Sequence, residues 1–172
     1  MKYKVINDEV LYTTEPITKI DKSDIDKLKI LSRSNPRKRI RICTHPDIGD
    51  NIHEMIIVHA NGAYITPHRH IGKSESFHII EGLLLVVIFD DQGNITEQIR
   101  MGDRESGLDF YYRLPENHFH TVVPQSELVV FHEVTHGPFT PEDTVFATWA
   151  PSEEDNPKQK QNFQHKLREK FS

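Results

Sequence analysis

Between Arg37 and Trp149 the chain never runs far without a turn signal: PDIGDN at 46–51, ANG at 60–62, DDQGN at 90–94 and PENH at 115–118 divide it into short alternating or apolar segments. Several short strands at such spacing are the pattern of an all-β sandwich or barrel, because Gly, Pro, Asn and Asp favour the backbone angles that reverse a strand. At 172 residues the chain is about one domain long. A chain of that size buries roughly 70% of the surface its unfolded form exposes, so one sizeable core is expected. There is no internal repeat and no low-complexity segment.

The two ends read differently from the middle. Residues 1–35 form an extension expected to pack on the main fold, with a strand at Val10–Thr14 and a short helix after it. In that helix Ile25, Leu28 and Leu31 recur at helical spacing, Ser23 is placed to cap the first turn, and Pro36 follows the end. The barrel is expected over 36–151. In the last segment, 152–172, Asn156 can cap a helix, Pro157 fits its first position, and Phe163 and Leu167 lie four apart on one face. Such terminal segments suit packing on the barrel or across the interface of a homodimer.

The net charge of −5 provides no general attraction to nucleic acid or anionic lipid, both of which are bound through an excess of Lys and Arg. The expected partner is a small molecule, sugar-like or anionic. Cys43 is the single cysteine, so no intramolecular disulfide can form. The longest apolar run, Leu83 to Phe89, is too short to cross a bilayer. MKYKVINDEVLY, at the N-terminus, alternates polar and apolar residues without the continuous apolar run of a signal peptide, and a cytoplasmic location is expected.

The stretch GAYITPHRHIGKSESFHIIEG, residues 62–82, reads as two strands and a turn, yet carries three histidines and two glutamates, Glu75 and Glu81, among its apolar residues. Burying such groups is costly unless they find partners. If Ala63–His68 is a strand, alternation puts Tyr64, Thr66 and His68 on one face, and His70 extends the row. On the returning strand Glu75, Phe77 and Ile79 share a face, so Glu75 can oppose the histidine pair. PENHFHTVVP offers a further imidazole from His118 or His120. Three imidazoles and a carboxylate suit one divalent transition metal, Mn, Fe, Co, Ni or Zn, and in octahedral geometry leave two positions for water or substrate.

Around this group several side chains are candidates for a pocket. Arg39 and Arg41 share a strand face with Cys43 and His45, and their guanidinium forks are suited to a phosphate, carboxylate or nucleotide diphosphate. The same arginines would equally serve a charged edge strand that resists aggregation. In HEMIIVHA both faces are mostly apolar, so its sidedness is open, with His53 a pocket candidate. Glu133 shares a face with Val129 and Phe131; pointing into a barrel it would be a general base whose pKa is raised by apolar surroundings, and pairing with an arginine is the alternative. Tyr64, Tyr112 and Trp149 could wall a sugar site or fill the core.

These residues carry a resemblance. The first cupin motif, G-x5-H-x-H-x4-E-x6-G, is met by Gly62, His68, His70, Glu75 and Gly82. The second, P-x-G-x2-H-x3-N, is met by Pro115 and His120, with Asn117 in place of its glycine and Pro124 in place of its asparagine. Over residues 36–151, RIRICTH, FHEVTHGPFTPED and WAP, together with the histidine stretch, resemble the WbuC-type cupin-fold metalloproteins associated with bacterial surface-polysaccharide (O-antigen) biosynthesis. The resemblance implies an all-β cupin fold, a double-stranded β-helix or jelly-roll barrel, with short N-terminal and C-terminal helices. It implies His68, His70, Glu75 and His120 as ligands of a metal such as Zn, Fe, Ni or Mn. His118, beside His120 on the strand, is a candidate to support the site or contact substrate, with a simple rim position as the alternative. By analogy with other cupins the expected chemistry is isomerisation, or a related proton transfer, on a sugar or nucleotide-linked sugar, with the metal as Lewis acid. An Fe(II)-dependent dioxygenase and a non-catalytic sugar-binding or regulatory module are the alternatives.

Overall fold

The computed structural model describes residues 1–169; residues 170–172, the end of the expected C-terminal segment, lie outside the described residues. In chain order the elements are β1 (Tyr3–Asn7), β2 (Val10–Thr13), α1 (Lys22–Ser34), β3 (Arg39–Cys43), β4 (Ile52–Ala60), β5 (His68–His70), β6 (Glu75–Glu81), β7 (Leu83–Phe89), β8 (Ile95–Gly102), β9 (Tyr111–Leu114), β10 (Phe119–Pro124), β11 (Leu128–His136), β12 (Thr144–Phe146) and α2 (Pro157–Glu169). One sheet has the order β1-β2-β3-β4-β11-β6-β9 and the other β12-β5-β10-β7-β8. From β4 onward the chain passes back and forth between the sheets, only β7 and β8 being consecutive in one. This is the jelly-roll, double-stranded β-helix arrangement of a cupin. All pairings are antiparallel except β2 with β3.

Three apolar clusters explain why the strand sequences look as they do. Met55, Phe77, Ile79, Leu84, Val86 and Phe131 meet between the sheets. Leu11, Ile40, Ile42, Val58 and Val130 lie on the outer face of the first sheet, under Ile25 and Leu28 of α1. Leu85, Val87, Phe89 and Phe119 lie on the outer face of the second, under Phe163 and Leu167 of α2 and beside Trp149. A strand covered on both faces loses the alternation of a half-buried one, which is why LLLVVIF is apolar throughout. The sidedness of HEMIIVHA is resolved in the same way, with His53, Met55, Ile57 and His59 inward and Ile56 and Val58 toward α1.

The N-terminal cap differs from the expectation. Asp21, not Ser23, caps α1: its carboxylate accepts from the Asp24 backbone N–H at 3.1 Å while Asp24 returns the bond, and the Ser23 hydroxyl donates to Asp21. An aspartate cap also places its charge at the positive end of the helix dipole. At α2 Asn156 accepts from the Lys158 N–H at 2.8 Å. Tyr3–Asn7 was not anticipated as a strand; all five residues are exposed and are held by pairing with β2 alone. β3 is internal, between β2 and β4, so it is no edge strand.

His59 faces inward at the end of the barrel away from α1's N-terminus, edge-on to Phe131 at 5.3 Å, and its Nδ1 has no partner. Burial, aided by the nearby Arg39 charge, pushes its pKa from 6.5 down to about 3. The unfolded chain takes up this proton below pH 6.5 and the folded chain does not until about pH 3, so stability falls as the pH drops through that window. Between pH 7 and pH 4.5 the loss from this group is about 2–3 kcal/mol. Urea unfolding at the two pH values should show His59→Leu losing less stability than the wild type by about that amount; equal losses would mean that His59 is not the acid-sensitive group.

Candidate metal centre

β5 is three residues long because Pro67 cannot donate to a ladder and ends pairing on its N-terminal side. The expected strand over Ala63–His68 is therefore confined to its last residue, and the run before it is tied down by Gln164 to the Ala63 carbonyl and Thr121 to the Ile65 carbonyl. Within β5 alternation turns His68 and His70 inward and Arg69 outward, over the Phe119 ring. β10 sets His120 directly opposite His68. β12 sets Phe146 opposite His68 and Thr144 opposite His70. Asn117, at φ +65°, makes the left-handed turn that introduces β10.

One ring nitrogen from each of His68, His70 and His120 falls within 4.8 Å of the other two. The Nδ1 of His68 lies 2.9 Å from the Thr66 carbonyl, and that of His120 lies 3.0 Å from the His118 carbonyl. A carbonyl oxygen only accepts, so each Nδ1 carries a proton and each ring turns toward the barrel through Nε2. Glu75 stands beside His120 and His70, its oxygens 3.0 Å and 3.5 Å from their Nε2 atoms. Tyr112 donates to Glu75 at 2.8 Å, while Thr144 is 3.3 Å from the Nδ1 of His70. Burial alone would raise the Glu75 pKa, but His120 and His70 hold it well below the carboxylate range. Burial and repulsion from His120 and His70 push His68 down to about 3, so it is a neutral imidazole at pH 7.

Three imidazoles with oriented Nε2 lone pairs and one adjacent carboxylate form a donor set that fits a divalent transition metal. His68, His70 and His120 would hold it, with Glu75 completing the set. Ligating imidazoles need a hydrogen-bond acceptor behind them to fix orientation, and the Thr66 and His118 carbonyls occupy that place for two of the three.

Glu133 pairs across β11 with Phe77 on one side and Met55 on the other, and these point into the core. Burial and the charge of Glu75 raise its pKa to about 8, with Arg41 and His120 working the other way. At neutral pH it therefore holds a proton inside the barrel. Arg41 shares its strand face with Cys43 but is exposed, and its side chain hydrogen-bonds the Cys43 thiol. Cys43, beyond it, is buried and its thiol is pushed up by burial.

The remaining predicted residues fall in different places. His45 and His53 are buried and stacked, with ring centroids 4.1 Å apart, and each has an Nε2 without a partner. His53 pairs with Thr135, which in turn pairs with Glu75, so the stack lies in the wall at the histidine end. Arg39 is not in the pocket: it is 2.8 Å from Glu9 and 2.9 Å from Glu153, and it donates to the Tyr64 carbonyl. Its partners come from distant parts of the sequence, which no local pattern reveals. Tyr64 bonds the Pro151 carbonyl and packs edge-on to Phe163, away from the histidines. Tyr112 is at the site but is committed to Glu75. His118 is exposed, bonds the Glu116 carbonyl at 2.8 Å and stays outside the triad. Trp149 packs against Phe89 and Phe119. Thr144 and Phe146 were missed, since the three-residue TVF carries no turn signal or alternation long enough to read.

Among the described residues no helix is long and apolar enough to cross a membrane. A family model described as a domain of unknown function (DUF6016) matches residues 20–101, from α1 to the end of β8 and short of His120. No curated protein matches the sequence. Solved structures similar to this chain include a protein from Shewanella oneidensis, with TM-score 0.49 and 13% identity over 60% of this chain and 66% of that one. Oxalate decarboxylase from Bacillus subtilis has TM-score 0.46 and 22% identity over 58% of this chain and 25% of that one. The cupin domain of Schizosaccharomyces pombe Cnp3 has TM-score 0.45 and 13% identity over 58% and 64%. The chain thus spans just under two thirds of the first and the last, and about a quarter of the decarboxylase. By its strand order and the placement of its histidines, the chain has the cupin fold.

Proposed function

We propose that this is a WbuC-type cupin that binds one divalent metal through His68, His70, His120 and Glu75. In this reading it acts in the cytoplasm, as a homodimer, on a sugar or nucleotide-linked sugar of surface-polysaccharide biosynthesis by an isomerase-like proton transfer. The observation that carries the reading is the convergence of three oriented imidazoles beside a buried carboxylate, with a second carboxyl, Glu133, inside the same barrel. A bound divalent cation supplies Lewis acidity, polarising a carbonyl and its neighbouring hydroxyl so that the adjacent C–H becomes acidic. The ionised fraction of Glu133, a minority at neutral pH that grows as the pH approaches about 8, takes the proton and returns it. Tyr112 keeps Glu75 in place, the carbonyls behind His68 and His120 fix the two rings, and the apolar inner wall excludes water.

The test is solvent exchange. The metal-loaded protein, incubated with candidate aldoses and ketoses in D2O, should introduce deuterium next to the carbonyl. Glu133→Gln should reduce that exchange by about 100-fold or more with metal content unchanged. Oxygen consumption in place of exchange would overturn the reading in favour of the oxygenase.

A further inference from the structure

We propose that the metal centre is entered at the β12 edge of the barrel and that Phe146 is the platform of that entrance, on which the C–H face of a cyclic sugar lies. The inference rests on the proposed function for the chemistry at the metal and deepens it: the substrate is taken as a closed keto-sugar ring, with its carbonyl and neighbouring hydroxyl on the ring itself, and not as an open chain.

Four observations carry it. The first is register. Residues directly opposite each other on antiparallel strands share a face of the sheet, so Phe146, opposite His68, and His68, opposite His120, form one inward row. Val145 points the other way and packs with the outer cluster under α2. The second is exposure. An inward side chain of a closed barrel is buried, yet Phe146 is 58% exposed and belongs to none of the three apolar clusters. β12 ends its sheet, so the barrel is open along this edge. The third is access to the donors themselves: His68 and His70, on the strand beside β12, are partly exposed, whereas His120, one strand further in, is buried. The fourth is contact. The Phe146 ring centroid lies 6.0 Å from that of His68, with the planes tilted by 50°, so a molecule held at the imidazole group adjoins the phenyl ring.

An apolar ring beside three imidazoles and a carboxylate makes a wall of mixed character. Thr144, the other inward residue of β12, adds to its polar side, with its hydroxyl 3.3 Å from the Nδ1 of His70. Such a wall fits a molecule with one apolar face and a polar edge. A sugar ring is such a molecule: its C–H bonds gather on a face, and its oxygens project from the rim, where they can reach the metal. An open-chain sugar alternates C–H and O–H along its length and has no continuous apolar face. Covering roughly 55 Å² of apolar surface between ring and phenyl corresponds to about 10-fold in affinity.

Calorimetric titration of the metal-loaded protein tests the proposal with methyl β-D-glucopyranoside, methyl β-D-galactopyranoside, the open-chain alditols D-glucitol and galactitol, and UDP. At least one glycoside is expected to bind about 10-fold more tightly than its alditol. Phe146→Ala should remove that preference with metal content unchanged, and Phe146→Tyr should keep it. Equal affinity for ring and alditol, no binding of either glycoside at millimolar concentration, a ring preference that survives in Phe146→Ala, or a Phe146 requirement confined to UDP would each overturn it. Light scattering adds one more contrary result: a change of oligomeric state in Phe146→Ala with ring binding intact would make Phe146 a subunit contact. Ring binding that needs Phe146 but no added metal would uphold the platform and remove the metal reading. Metal uptake without a Phe146-dependent preference for the ring would do the reverse.

Discussion

Replacing His120 by alanine is expected to lower affinity for a divalent transition metal by more than about 100-fold, the largest functional effect in the molecule. Loss of an outer hydrogen-bond partner of a ligand typically weakens a metal about 10- to 100-fold, and loss of a ligand itself weakens it more. His120 is also the histidine that ties the set together. It is opposite His68 on the neighbouring strand and 3.0 Å from Glu75. Tyr112→Phe provides the graded comparison, since it removes only the hydroxyl that donates to Glu75 at 2.8 Å. It should weaken metal by about 10- to 100-fold with the fold retained. Competition titration against a chromophoric chelator, with circular dichroism to check folding, measures both; equal affinities in wild type and His120→Ala would remove His120 from the ligand set.

The largest expected effect on stability comes from a glycine. Gly82 stands where the chain leaves β6 in one sheet and enters β7 in the other, at φ +83°, and a Cβ there would come within 2.2 Å of the Leu128 carbonyl oxygen and 2.6 Å of the Ser126 hydroxyl. Gly82→Ala therefore combines the left-handed backbone penalty of about 1–2 kcal/mol with a clash against backbone on β11, for a total of about 3–5 kcal/mol. Gly62 also has a positive φ, +90°, but a Cβ there would meet nothing within 4 Å. Gly62→Ala should lose only the backbone part, about 1–2 kcal/mol. Two glycines of one sequence motif thus separate by mechanism. Equal urea-unfolding losses for the two variants would mean that the crossing at Gly82 relaxes freely.

What could be read from the sequence follows from the range of each signal. Alternation and turn residues act over a few positions, so β3, β4, β6 and β11, the Asn117 turn and the placing of His68 with His70 on one face were legible, whereas the strand expected over Ala63–His68 was displaced by Pro67. α1 and α2 were legible because their apolar residues repeat at helical spacing and their ends carry caps, although Ser23 was expected to cap α1 where Asp21 does. β1 was missed because it buries nothing, and β12 because three residues are too few to show a period. Cross-chain choices were not legible. Arg39 and Arg41 are alike in sequence, yet Glu9 and Glu153, drawn in from opposite ends of the chain, claim one and leave the other. The Tyr112 bond to Glu75 likewise depends on β9 lying beside β6, a neighbour relation that only the assembled sheet defines.

The central claim is that three imidazoles and Glu75 hold one divalent metal in the barrel. Elemental analysis of the reconstituted protein together with X-ray absorption at the metal edge tests it most directly. The account predicts about one metal per chain, with scattering from three imidazoles and additional oxygen ligands. No retained metal after reconstitution with Mn, Fe, Ni and Zn, or a bound metal showing fewer than two imidazoles, would contradict it.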